Sequence, residues 1–182
     1  MKGTGASGVV DTPGVHSKVR CIDCHMTETN HLMKVIRPDD PDLAGSRVDL
    51  CTACHKDSDR KTQASHLRKW DSIYSKQMQA LQADMKYIRS AVKTDKEILK
   101  GDLKSKFERA NINVMLLMRD CSHGAHNFEF ATIIMSKARD DLDAVKGAIK
   151  YISFKADIWC EIFLNRSRVL IFLKRALVQS MR

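Results

Sequence analysis

The chain has 182 residues, of which 43% are hydrophobic, and a formal net charge of +9 at neutral pH. This length suffices for one domain with a buried core. The basic residues are scattered along helical segments and do not alternate with aromatic residues, which argues against a nucleic-acid-binding protein. We recognise neither a secretory signal peptide nor an uncharged apolar stretch long enough to span a membrane.

Residues 1–62 form the first predicted segment, which we expect to be rich in loops. Hydrophobic periodicity is weak there, and helix-breaking residues interrupt it at Gly3, Gly5, Gly8, Pro13, Gly14, Pro38 and Pro41. A segment of this length without regular structure needs anchors other than its own core. Bonds to a metal or a cofactor would supply such anchors.

Residues 63–150 form the second segment, which we predict to consist of long helices. After a first gap of seven, apolar residues recur there within each stretch at steps of three and four, typical of amphipathic helices. They are Leu67, Tyr74, Met78, Leu81, Met85, Ile88 and Val92, then Leu103, Phe107, Ala110, Val114, Leu117 and Cys121, then Phe128, Ala131, Met135, Ala138, Leu142, Val145 and Ile149. The pattern predicts helices over 64–93, 102–121 and 127–149. The last two are separated at Gly124 or joined as one kinked helix.

Residues 151–182 form a tail that is both apolar and basic. It has the composition of an amphipathic helix lying on a partner or a membrane face, although an artefactual end of the reading frame is an alternative. Two cysteines outside any motif, Cys121 and Cys160, are predicted to be buried free thiols. The predicted fold class is therefore mainly α, with a loop-rich segment followed by long C-terminal helices.

A five-residue unit occurs twice in the loop-rich segment, as CIDCH at 21–25 and CTACH at 51–55. Cys-x-x-Cys-His is the attachment signal for c-type haem: the cysteines form thioether bonds to the porphyrin, and the histidine ligates the iron from below. The sequence thus predicts two covalently bound haem c groups, held by Cys21, Cys24 and His25 and by Cys51, Cys54 and His55.

The alternative for this pair of units is a zinc site made by four cysteines, in a helical interaction protein. A zinc site requires no histidine after either Cys-x-x-Cys pair, whereas histidine follows both pairs here. The haem interpretation is therefore favoured.

Each haem iron has a second axial position, for which the chain offers further histidines. His16 and His31 flank the first unit closely, and His126 lies at the break between two helices. These three are the candidate distal ligands. His66 stands in a polar helix start and is not expected to ligate, and His123 is left open.

With these residues identified, the chain resembles the C-terminal half of ammonia-forming pentahaem cytochrome c nitrite reductases and related multihaem c-type cytochromes. The resemblance covers roughly residues 14–150. It rests on the ordered stretches GVHSKVRCIDCHM, NHLMKV, CTACHKDSDRKTQ and CSHGAHNFEFA.

The resemblance implies that His25 and His55 are proximal ligands of low-spin electron-transfer haems, and that His16, His31 and His126 are distal ligands. Only two irons are local, so at least one of these three would serve a haem supplied by a longer parent or a partner. It further implies a homodimer formed through the long helices, and a cytochrome or a quinol dehydrogenase as redox partner.

Several features of the family are missing. The catalytic haem motif, which carries lysine in place of histidine, has no counterpart, and neither do the tyrosine, glutamine and histidine of the substrate pocket. Thr27 replaces the proline that follows the first motif in the family, and HNFEFA lacks the family's proline. Whether the chain is an enzyme is therefore open. A fragment of an octahaem cytochrome, of the hydroxylamine or tetrathionate type, is the alternative.

The resemblance also bears on location. Haem is attached to such motifs outside the cytoplasmic membrane, which implies a periplasmic or otherwise extracytoplasmic protein. Because no export signal is recognisable, we expect Met1 to be internal and a longer parent to carry the signal and the catalytic haem.

Overall fold

The computed structural model describes residues 2–26, 31, 33, 35–40 and 49–180, with the backbone alone at 156–180 and without the side chain at position 96. Its α-helices are α1 (Cys21–His25), α2 (Leu50–Cys54), α3 (Arg60–Thr94), α4 (Gly101–Arg119) and α5 (Phe128–Ser180), with a 3₁₀ turn at Lys96–Ile98 between α3 and α4. Within these ranges the chain contains no β-strand. The predicted mainly α fold class is confirmed.

Helix α3 begins four residues before its predicted start, because Asp59 acts as its N-cap. The Asp59 carboxylate accepts a hydrogen bond of 2.7 Å from the backbone N–H of Thr62. Such a cap satisfies one of the N–H groups that a helix start leaves without a partner.

The predicted break between the last two helices is present. Helix α4 ends at Arg119, α5 begins at Phe128, and the residues between them form turns, so the two helices are separate and not one kinked helix. Helix α5 continues to Ser180, well beyond the predicted end at 149, because no Gly or Pro follows there to stop it. The side chains of the tail from 156 onward, including that of Cys160, lie outside the described residues.

The core lies where α5 packs against α4 and α3, and the three predicted apolar stripes supply it. Its buried members include Tyr74, Met78, Leu81, Met85, Ile88, Ala110, Val114, Leu117, Ala131, Met135, Ala138, Leu142, Val145 and Ile149. The prediction for Cys121 was wrong, because its thiol is exposed. Cys121 lies two residues past the end of α4, where the chain has left the helix that would have turned this residue inward.

Tyr74 links α3 to the end of α4. Its buried hydroxyl donates a hydrogen bond of 2.5 Å to the backbone carbonyl of Leu117. This carbonyl lies in the last turn of α4, where it also accepts a hydrogen bond of 3.0 Å from the backbone N–H of Asp120, the C-cap residue. Burial, together with the charges of Asp120 and Cys121, raises the pKa of Tyr74 to about 12, so the hydroxyl stays protonated and able to donate.

The segment before α1 is ordered by contacts with the helices. We call residues 2–14 the strap. The fully buried side chain of Asn113 donates to the carbonyl of Ser7 (2.9 Å) and accepts from its N–H (2.7 Å). Within the strap, the N–H of Thr12 donates to the carbonyl of Gly3 at 2.8 Å. The strap therefore runs across α4 in a defined position just ahead of His16.

Asp141, on α5, is a buried carboxylate paired with two cations. Arg109 donates to both of its oxygens, at 2.7 and 2.6 Å, and Lys137 donates at 3.2 Å. Burial on its own would raise the pKa of Asp141, but the hydrogen bonds from Arg109 and Lys137 outweigh it and hold this pKa below its usual value.

Replacing Asp141 by Asn is expected to destabilise the protein by about 1–3 kcal/mol, because charge-assisted hydrogen bonds are lost in a buried place. Since the folded-state pKa of Asp141 is lowered, its contribution is present above the unfolded-state pKa of about 4 and is lost as the pH falls through the folded-state value. Urea unfolding at neutral pH and below pH 4 measures both effects. Equal unfolding midpoints of the two proteins at neutral pH would contradict this role.

Among the described residues, none of the helices combines the length and the apolar character that a membrane span requires.

Candidate functional site

The first Cys-x-x-Cys-His unit forms the short helix α1. Arg20 and Asp23 fix its start, because the Arg20 N–H donates to the Asp23 carboxylate (3.0 Å) and the guanidinium forms an ion pair with it (2.8 Å). In a helix, residues three apart lie on the same face, so Cys21 and Cys24 can approach one ligand together. Both thiols are free, with Cys21 exposed and Cys24 half-buried.

His25 ends α1, and its ring is oriented by the loop that follows. Its Nδ1 lies 2.9 Å from the backbone carbonyl of Met33. A carbonyl only accepts, so Nδ1 carries the proton and Nε2 keeps the lone pair that binds a metal. Met33 itself adopts a φ of 56°, which non-glycine residues seldom do, and this turns the chain at the contact.

The second unit likewise forms a short helix, α2, with a carboxylate fixing its start. Asp49, almost fully buried, caps α2 by accepting from the backbone N–H of Thr52 (2.9 Å) and from the Thr52 hydroxyl (2.5 Å). Cys51 and Cys54 share a face of α2, and both thiols are free. His55 follows directly as the C-cap residue.

The thiols of the two units influence each other's pKa. Burial raises the pKa of the Cys24 thiol, and the charge of Cys54 raises it further. Burial likewise raises the pKa of Cys51, with contributions from Asp49 and Cys24. The pKa of each of these two thiols is thus raised by the charge of a cysteine in the other unit. The cofactors attached to the two units would be neighbours.

The site contains two pairs of neighbouring histidine rings. The rings of His16 and His55 have centroids 6.0 Å apart and planes at 84°, and those of His25 and His126 have centroids 6.1 Å apart and planes at 47°. A metal bound at about 2 Å by two facing imidazoles holds their centroids roughly 6 Å apart. Each pair joins a motif histidine to a predicted distal histidine at this spacing.

His126 is held by the loop between α4 and α5. Its Nδ1 donates to Asp120 at 3.0 Å, which leaves Nε2 available to a metal. Asp120 also accepts from the Ser122 hydroxyl at 2.7 Å and from the N–H of Gly124 at 3.1 Å. Burial would raise the pKa of Asp120, but the hydrogen bonds from Ser122 and His126 outweigh it, so the net pKa is lowered and the carboxylate stays charged.

The remaining predicted ligand, His31, is exposed in a turn and belongs to neither ring pair. His66 is exposed on α3. His123, left open by the sequence, has its Nδ1 2.5 Å from Asp71, and its ring stacks on Tyr74 with centroids 5.4 Å apart. Its φ of 51° is unusual for a residue other than glycine.

Sequence reasoning missed the groups that orient the ligands, which are Asp120 and the carbonyl of Met33. Asp120 is six residues before His126, a spacing with no recognised meaning, and a backbone carbonyl leaves no signal in a sequence. Such outer partners fix the tautomer and the orientation of a ligating imidazole.

The residues present fit haem c. Both units place two free cysteines on one helical face with a histidine beside them, and both offer a second imidazole at the spacing of an axial pair. In the part of the chain that the structure describes, no group of three or more His, Cys, Asp or Glu side chains is arranged to hold a metal ion by itself.

Comparisons with known proteins identify the family and the fold that this chain shares. A family model for cytochrome c552 matches residues 11–167. The crystal structure of the outer cell wall cytochrome OcwA is similar with a TM-score of 0.64 and 24% identity, over 78% of this chain and 28% of that one. At that identity the likeness shows the fold alone, and the chain spans under a third of that protein's length. No curated protein matches the chain significantly. Because the family model covers most of the sequence, the chain belongs to the cytochrome c552 family, whose members are multihaem c-type cytochromes that bind haem c covalently and use it to transfer electrons.

Proposed function

We propose that this chain holds two haem c groups, each with two histidine ligands, and passes electrons between them as the C-terminal part of an enzyme similar to ammonia-forming nitrite reductase. The observation that carries the proposal is the pairing of each motif histidine with a distal histidine at 6.0 or 6.1 Å. In this assignment Cys21 and Cys24 attach one haem, and Cys51 and Cys54 attach the other.

The histidine pairs support electron transfer over substrate activation as the function of this chain. When bound, haem iron supplies a one-electron ferric–ferrous couple. With His25 and His126 on one iron, and His16 and His55 on the other, no axial position remains for a substrate. The residues of this chain therefore favour electron transfer, and the adjacency of Cys24 and Cys54 supports exchange between neighbouring haems.

The protein groups around the ligands keep them ready to bind. The Met33 carbonyl and the Asp120 carboxylate each accept from an imidazole Nδ1–H, so Nε2 is the nitrogen that the neutral rings of His25 and His126 present to a metal. A carboxylate partner also increases the basicity of its imidazole, which favours the ferric state and lowers the reduction potential. We propose that the haem between His25 and His126 has the lower potential of the two.

The relation to nitrite reductases is supported by the ordered sequence stretches around the ligands, and not by the fold alone. His31, which belongs to neither pair, is proposed to ligate a haem outside this chain. The catalytic haem would lie elsewhere in a longer protein, and the octahaem type remains the alternative. A redox partner, a homodimer through the long helices and an extracytoplasmic location belong to the same proposal.

The test is the haem content of the full chain, produced in a host that matures c-type cytochromes. We expect an intact mass that exceeds the sequence mass by two haems, and a reduced spectrum with the sharp α band of low-spin haem c. Acid–acetone extraction should remove neither haem. An unshifted mass would contradict haem attachment, and robust ammonia formation from nitrite by this chain alone would contradict a purely electron-transferring role.

A further inference from the structure

The proposed distal ligands His16 and His126 come from distant parts of the sequence. One side chain, that of Asn127, contacts both the segment before His16 and the helix after His126. Asn127 directly follows His126. Its Nδ2 donates to the carbonyl of Thr12 at 2.8 Å, and its Oδ1 accepts from the N–H of Phe130 at 3.1 Å. The amide thus uses its donor for the strap and its acceptor for the first turn of α5.

The acceptor side of Asn127 fixes the segment that carries His126. The side-chain oxygen caps the first turn of α5, and the main-chain carbonyl of Asn127 accepts from the N–H of Ala131 at 3.0 Å. Asn is among the residues preferred at a helix N-cap for this reason. The residue after the ligand is therefore fixed to the core helix.

The donor side of Asn127 fixes the segment that carries His16. Thr12 lies four residues before His16, and a Cβ placed on Gly14 would stand only 2.8 Å from Cγ of Asn127. The strap therefore passes directly over this amide. A tight turn follows, in which Ser17 N–H donates to the carbonyl of Gly14 (2.8 Å) and Val19 N–H donates to that of His16 (3.0 Å).

We propose that Asn127 is a positioning residue that sets the place of both distal histidines, one through the cap of α5 and the other through the strap. The inference rests on the bis-histidine coordination proposed above. It makes the two haems partly dependent on a single amide, although neither iron is bound by it.

The two functions of the amide can be separated by Asn127→Asp in the full chain with both haems attached. Aspartate retains the oxygen that caps α5, but it cannot donate to the Thr12 carbonyl and places a carboxylate against it. We expect only the pair His16–His55 to loosen. The apparent affinity of the reduced protein for carbon monoxide should rise about 10-fold or more at one haem per chain, since loss of an outer partner typically weakens a metal ligand about 10- to 100-fold.

Two further variants accompany this experiment, one as a second test and one as a control. Gly14→Ala pushes the strap away from the same amide by steric contact and without a charge, and should produce the same gain at the same haem. Asn111→Asp is the matched control, because Oδ1 of Asn111 on α4 accepts from Arg89 at 2.7 Å and an aspartate preserves this contact. This control should bind carbon monoxide no better than the parent chain.

The affected iron is identified with the double variant His16→Ala, Asn127→Asp. If the amide acts through His16, the double variant should bind carbon monoxide as His16→Ala alone does. Unchanged carbon monoxide affinity in both Asn127→Asp and Gly14→Ala would overturn the proposal, and should Asn127→Asp fail to fold, Gly14→Ala decides alone. Absence of carbon monoxide binding in both His16→Ala and His126→Ala would instead refute the coordination on which the proposal rests.

Discussion

Replacing His126 by Ala is expected to open one iron of the protein to external ligands. Its ring lies 6.1 Å from that of His25, so under the proposed coordination its loss would leave the haem of the first motif with one histidine ligand. An iron that loses one of two imidazoles acquires a high-spin component and binds carbon monoxide when reduced. We expect close to one carbon monoxide per chain at a concentration at which the parent protein binds almost none, measured by titration of the reduced spectrum.

Two other histidines serve as controls for this substitution. His66 is exposed on α3, and His31 is exposed in a turn outside both ring pairs. Ala at either position should leave both haems of this chain low-spin. If His126→Ala stayed fully low-spin while His16→Ala and His31→Ala each bound carbon monoxide, then His126 would serve a haem outside this chain and the observed ring pairing would not be the ligand pairing.

The double substitution Cys51→Ser, Cys54→Ser is expected to remove one haem completely. Serine has nearly the shape of cysteine but forms no thioether, so the second unit would keep its helix α2 and lose its covalent bonds. The intact mass should fall by one haem relative to the parent chain. The first unit, on α1, should remain loaded. Because bonds to a cofactor anchor the loops around both units, we also expect the thermal midpoint to fall.

Cys121→Ser is the matched control for this experiment. Cys121 is also a free cysteine, exposed in the turn after α4, and belongs to neither motif. Its replacement should change neither the haem number nor the thermal midpoint. A double variant at Cys51 and Cys54 that still carried two haems after denaturation would contradict the assignment of the second unit.

The parts of the structure with local signals were predictable from the sequence. Steps of three and four identified the buried faces of α3, α4 and α5, since packing an apolar stripe needs no knowledge of the partner. The haem units were recognisable because the thioether chemistry demands a fixed spacing within five residues. Both signals are contained within a short window of the chain.

The pairing of the ligands was not predictable in the same way. The sequence offered three candidate distal histidines for two predicted haems, and only the folded chain brings the ring of His16 to His55 and that of His126 to His25. The strap likewise gave no periodic signal, because buried Asn113 holds it through main-chain atoms that any residue other than proline would supply in place of Ser7. The prediction for Cys121 was wrong because helix ends are set by the turn that follows, and an apolar stripe does not mark them.

The loop from Asp120 to Asn127 has a consequence for the rate of electron transfer. Hydrogen bonds to Asp120 tie its start to the ligand ring, and the cap of α5 ties its end to the core. An imidazole held at both ends of its loop moves little when the charge of the iron changes. If His126 binds an iron as proposed, the nuclear reorganisation that accompanies each electron would be small, and the barrier would be low even where the driving force between two neighbouring haems is slight. The loop would speed electron flow in both directions equally, and the direction would be left to the relative potentials of the donors and acceptors.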